Sequence, residues 1–170
     1  MHRVVEYTLM FLVLVLLQVF LFDNLNLSPY LYPLVYVGFI ILLPVGLHPA
    51  WTLLLGFLVG AVTDLLSGTP GLNTIASTAT TFCRPALLNL TIGKDALQEI
   101  ILPLPLQTGR AKWMKYAGAA ILLHCMLFFF FEAASFRYAG FTLLRIAGSA
   151  TTTFLLIWFL AGLLPARMGK

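Results

Sequence analysis

Six stretches of this chain are apolar on every face, and short clusters rich in Asp, Asn, Gly, Pro and Lys separate them. Their lengths approach the roughly 20 helical residues needed to cross bilayer hydrocarbon. The pattern predicts helical spans at about 4–22, 30–47, 50–66, 70–90, 116–135 and 141–164, with a long connection over 91–115. None shows the alternation of an outer-membrane strand, which runs in segments of about ten residues. Pro33 and Pro44 fall near the ends of the second span, where a missing N–H does least harm. Asp23 to Pro29, His48-Pro49 and Ser67-Gly68-Thr69-Pro70 read as turns. Leu9 to Phe22 leads into Asp23-Asn24-Leu25-Asn26 with no small-x-small cleavage site, so an uncleaved first span is expected. With no repeat and no soluble segment of its own, the chain reads as a single polytopic membrane domain over 1–170.

Composition sharpens this to an all-α membrane protein. The chain is 61% hydrophobic and 9% charged, against about 45–50% and about 25% in soluble globular domains. Its basic balance then describes topology. Six spans place Arg3, Lys94, Arg110, Lys112, Lys115, Arg167 and Lys170 on one side and Arg137 alone on the other, while Arg84 and Arg145 stay inside spans. By the positive-inside rule both termini and the 91–115 connection are expected to be cytoplasmic. No Lys/Arg run interleaved with aromatics points to nucleic acid. Cys83 and Cys125 lie in apolar spans without a C-x-x-C spacing, which suits small buried hydrophobes.

A few polar or very small groups interrupt the apolar spans. Gly56 and Gly60 form G-x-x-x-G on one face of the third span, and Asp64 continues the same four-residue spacing. In lipid such notches let backbones approach closely. With Gly68 and Gly71 they are candidates for helix packing or for contact with a partner. Thr69-Pro70 has the form of a helix start. The unpaired amides there suggest that Asp64 holds the hairpin tip closed, with Asp64→Asn mild and Asp64→Leu severe. Arg84 lies some 21 Å of helix rise below Pro70, too deep to reach Asp64. It is left with three roles: a donor to the Thr81 carbonyl that Pro85 frees, a contact with lipid phosphate, or a contact with a partner.

Glu132 and Arg145 flank the outer turn symmetrically, so antiparallel fifth and sixth spans bring them to one depth as an ion pair or as headgroup-level charges. His124 neighbours Cys125, but adjacent helical residues share no face and make no metal site. No catalytic, cofactor-binding or metal-ligating set is found. Ile100 to Leu106 is apolar yet too short and proline-broken to span. It is expected at the membrane surface, as an amphipathic loop or as a docking site for a cytoplasmic partner, with Lys94, Arg110, Lys112, Trp113 and Lys115 marking the cytoplasmic interface.

The third-span glycines with Asp64, the Ser67-Gly68-Thr69-Pro70-Gly71 turn, Phe82-Cys83-Arg84-Pro85 and Glu132 ahead of Arg145 resemble the MreD family, the rod shape-determining membrane proteins of bacteria. The likeness covers nearly the whole chain and is densest over 55–90. It implies a non-enzymatic scaffold of the cell-elongation complex in the inner membrane. The implied partners are the bitopic protein MreC, the glycan polymerase RodA with its transpeptidase, MreB indirectly, and membrane lipids, with self-association admissible. The resemblance also implies a fold similar to the substrate-binding subunits of energy-coupling-factor vitamin transporters, which makes such a subunit the alternative reading. Those subunits often carry small residues at four-residue spacing in the first span. Here that span is bulky throughout.

Overall fold

The computed structural model describes residues 2–25, 30–133 and 139–163. The chain is helical, with α1 (His2–Leu16), which continues as a π-helical turn over Leu17–Phe22, then α2 (Val37–Leu42), α3 (Pro49–Ser67) and α4 (Leu72–Thr91). Two short helices follow, α5 (Lys94–Glu99) and α6 (Pro105–Thr108), and then the long α7 (Arg110–Ala133) and α8 (Ala139–Leu163). Among the described residues no strand forms. Arg137, Arg167, Lys170 and the side chain of Arg3, all used in the charge-based orientation, lie outside the described part.

Among the described residues four helical stretches are long and apolar enough to cross a membrane: Val5–Phe22, Pro49–Ser67, Arg110–Ala133 and Gly140–Gly162. The fourth predicted span, α4, has the length but a different chemistry. It carries six Ser/Thr hydroxyls, two Asn and Arg84. Its buried face includes Asn73, Ser77, Thr80, Thr81 and Arg84, and it packs between α3 and α7. A helix in the middle of a bundle meets protein rather than lipid, so polar side chains there find partners.

The predicted second span, 30–47, departs most from expectation. Only six of its residues, Val37–Leu42, are α-helical. The approach to them is non-helical yet buried, from Leu34 to Tyr36 within 1% of full burial. Backbone at membrane depth needs every N–H and C=O satisfied by protein, and two helices supply the groups. The Tyr32 and Leu34 amides donate to Ser149 Oγ and Thr153 Oγ1 of α8, each at 2.9 Å. Two residues of extended chain advance roughly 6.6 Å and four of helix roughly 6 Å, so hydroxyls one turn apart match alternate amides. The Val35 amide donates to Gln18 Oε1 at 2.7 Å, and Gln18 Nε2 donates to the Pro33 carbonyl at 3.1 Å. Close passage past α8 requires Gly148, where a Cβ would sit 2.8 Å from the Tyr30 carbonyl oxygen.

The 100–106 segment also differs from the surface loop expected. Leu102 and Leu104 are core residues, and the Val45 amide donates to the Ile101 carbonyl at 3.0 Å. Trp113 is fully buried rather than placed at a headgroup level. Its indole N–H donates to the Pro103 carbonyl at 2.6 Å, and its rings pack against Phe154 and Trp158 of α8. The connection therefore plugs one end of the bundle. Lys94, Arg110 and Lys115 are exposed around it, and Lys112 Nζ reaches back to the Ile92 carbonyl at 3.2 Å.

Candidate functional site

The α3–α4 hairpin carries the densest set of polar contacts. Its two arms touch because Gly60 and Gly56 leave no side chain between them. A Cβ on Gly60 would lie 2.6 Å from both the Asn73 carbonyl oxygen and Thr74 Cα, and one on Gly56 would lie 2.1 Å from Thr81 Oγ1. The glycine ridge of α3 thus faces α4. Gly68 and Gly71 play another part than packing. A Cβ on either would meet nothing within 4 Å, but their φ values are +69° and +85°. Gly68 ends α3 in the left-handed region and Gly71 is the N-cap of α4.

Asp64 sits where these features meet, 6% exposed. Oδ1 accepts from Thr69 Oγ1 (2.5 Å), the Asn73 amide (3.0 Å) and Asn73 Nδ2 (2.9 Å). Oδ2 accepts from the Thr74 amide (2.7 Å) and Thr74 Oγ1 (2.5 Å). The N-cap Gly71 has no side chain to satisfy the first amides of α4, and the carboxylate of the neighbouring helix does it instead.

From Asp64 the hydrogen bonds run on into the bundle with a defined polarity. A carboxylate only accepts, so Asn73 turns its NH2 toward Asp64 and Thr69 Oγ1 and its oxygen toward Tyr36. Tyr36 donates its one proton to Asn73 Oδ1 at 2.8 Å. His124 Nε2, 2.7 Å from the same phenol oxygen, must then be the donor, which sets the imidazole tautomer. His124 Nδ1 faces Thr80 Oγ1 at 3.2 Å. This chain joins α3, α4, the residue before α2 and α7. Tyr36→Phe leaves Asn73 Oδ1 and the His124 N–H without their shared partner. It is expected to lower stability by about 2–3 kcal/mol, read as the thermal midpoint in detergent, and an unchanged midpoint would remove Tyr36 from the network.

A second cluster ties the same end of α3 to α1. Asp23 Oδ1 accepts from Gln18 Nε2 (2.8 Å) and the Tyr32 hydroxyl (2.7 Å), and Oδ2 accepts from the Ser67 hydroxyl. Sequence reasoning placed Asp23 in a turn and passed over Gln18, Tyr36 and Asn73. The signal was present for Gln18, a lone amide in an otherwise apolar span, which hydrocarbon leaves no choice but to bond within protein.

Arg84, 3% exposed, occupies the opposite half of α4. Its Nη2 donates to the Leu43 carbonyl and its Nε to the Tyr116 hydroxyl at 3.1 Å, while Tyr116 donates to the Ile41 carbonyl at 3.2 Å. The arginine therefore caps the C-terminal end of α2. Glu132 and Arg145 meet as a two-pronged pair, with Nη1–Oε2 at 2.6 Å and Nη2–Oε1 at 3.2 Å, and the guanidinium lies over the Phe129 ring. Their side chains are a quarter to a third exposed, so breaking the pair is expected to weaken α7–α8 by only about 0.5–1 kcal/mol. The double exchange Glu132→Arg with Arg145→Glu should recover what Glu132→Arg alone loses, measured by the detergent melt. Lack of recovery would show that the two act separately.

Among the described residues no three His, Cys, Asp or Glu side chains converge on a point that could hold a metal ion. Comparison with known protein families, with curated proteins and with solved structures finds no match.

Proposed function

We propose that this chain is a membrane scaffold subunit of the bacterial cell-elongation complex. It binds the bitopic protein MreC and supports peptidoglycan synthesis by RodA and its transpeptidase, with MreB engaged indirectly. The observation that supports this reading most is the saturation of Asp64. A carboxylate that carries protons or ions through a membrane must exchange partners, and this one already holds five donors from its own hairpin. Its role is to hold α3 and α4 as one rigid unit. The broad apolar faces, including Val5, Leu9 and Phe20 on the first helix and Leu143, Leu155 and Phe159 on α8, are left for lipid or another protein. In this reading the chain lies in the inner membrane as six spans, counting α4 and the broken 30–47 segment, with both termini cytoplasmic.

The test is purification from native membranes in mild detergent, coupled to depletion of the chain in cells. Retention of a single-span MreC-type protein, with loss of rod shape on depletion, is the expected result. A retained small solute together with an ATPase module would instead favour the vitamin-transporter subunit. Depletion without a shape change would end the scaffold reading.

A further inference from the structure

Below the contact between Gly56 and Thr81 the two arms of the hairpin separate. They enclose, with the 45–47 loop and α5, a cavity of about 480 Å³. Leu47, Leu53, Phe82 and Leu88 make most of it apolar, and Arg84 is its one charged lining group. The guanidinium offers five N–H donors. Within the protein Nε and Nη2 are engaged, by Tyr116 and Leu43, whereas Nη1 meets no acceptor among the described residues. No carboxylate lies within ion-pair distance of it, the only such pair among the described residues being Arg145–Glu132. Pro49 and Ala50, the first turn of α3, also line the space and bring the positive end of that helix dipole to it. A buried cation held by neutral groups alone, on a residue that lines a cavity, lacks its counter-charge.

We infer that this cavity takes the phosphate group of an anionic membrane lipid, with Arg84 Nη1 as its anchor and an acyl chain lying along the apolar groove between α3 and α4. The volume is in the range of small-molecule sites and suits a glycerophosphate head. Phe82, 76% exposed at the rim, gives the opening an apolar edge that suits a lipid. The lining of Leu97 from α5 places the site at the end of the bundle that carries the 91–109 connection. The lipid therefore comes from the leaflet at that end. Arg84 would in this way join α2, α4 and α7 to the surrounding membrane. The inference goes beyond the scaffold reading and does not depend on it.

The full chain, reconstituted in nanodiscs of phosphatidylglycerol and phosphatidylcholine and released into detergent, should keep phosphatidylglycerol in preference by about fivefold or more when bound lipid is counted by native mass spectrometry. Arg84→Met should bring the preference to the bulk ratio. Because Arg84 also caps α2, a second variant, Leu53→Trp, blocks the rim without touching the guanidinium, and it too should lose the preference while keeping its melt. A wild-type chain that retains both lipids in the bulk ratio overturns the inference, as does a Leu53→Trp chain that retains the preference. Displacement of the lipid by millimolar inorganic phosphate also overturns it, since the ligand would then be a soluble anion.

Discussion

Asp64→Leu is expected to open the hairpin tip and unfold the chain at much lower temperature in detergent, with a loss of about 3–5 kcal/mol or more. Five donors lose their acceptor, two of them backbone amides in the first turn of α4, and each buried unsatisfied donor costs about 1–3 kcal/mol. Asp64→Asn separates two accounts of this residue. From sequence alone the amide looks mild, because an asparagine also accepts. In the structure every group around Asp64 is a donor, so one end of the new amide must point its own N–H at Thr74 or at the Thr69–Asn73 side. We expect Asp64→Asn to lose about 1–3 kcal/mol, between wild type and leucine. Equal effects from the two substitutions would mean that the hydrogen bonds do not hold the tip.

The second large effect is expected at the glycine notches, where the two positions should behave differently. At Gly60 the obstacle to a Cβ is the backbone of Asn73 and Thr74, so α4 itself has to move, and the Asp64 bonds move with it. Gly60→Ala should cost about 2–3 kcal/mol and Gly60→Leu more, as overpacking of a close helix contact does. At Gly56 the obstacle is the Thr81 side chain. Gly56→Ala should be comparably damaging alone, yet the double change Gly56→Ala with Thr81→Gly transfers the notch to the other helix and should recover most of the loss. Melts of the four variants in one detergent measure this. Recovery at Gly60 by trimming a facing side chain, or none at Gly56, would contradict the packing.

Some of the candidate site could be read from residue order because it depends on local rules. Thr69-Pro70 reads as a helix start, and although the observed cap is Gly71 and α4 begins at Leu72, the shift of two residues still leaves Asp64 beside the first amides of α4. Equal distances from a turn likewise bring Glu132 and Arg145 to one depth. Arg84 was harder. Pro85 suggested the Thr81 carbonyl as acceptor, but the guanidinium reaches the Leu43 carbonyl, more than forty positions earlier in the chain. Trp113 misled for a related reason. An aromatic beside lysines is normally an interfacial anchor, and here the proline-broken segment folds over it and makes it core.

Hydrophobic content and charge scarcity, acting through the absence of water in bilayer hydrocarbon, were enough to establish a helical membrane protein and to locate its long apolar helices. Those are properties of each segment alone. Whether an apolar run such as 30–47 becomes one helix or a threaded, largely non-helical strand of chain is a different question. It depends on whether Gln18, Ser149 and Thr153 arrive from other helices to satisfy its amides, and the order of residues within the run carries no record of that. The same holds for the Asp64–Asn73–Tyr36–His124 chain. Its direction follows from which groups can only accept and which can only donate, and that constraint exists only once α3, α4 and α7 are packed together around the phenol.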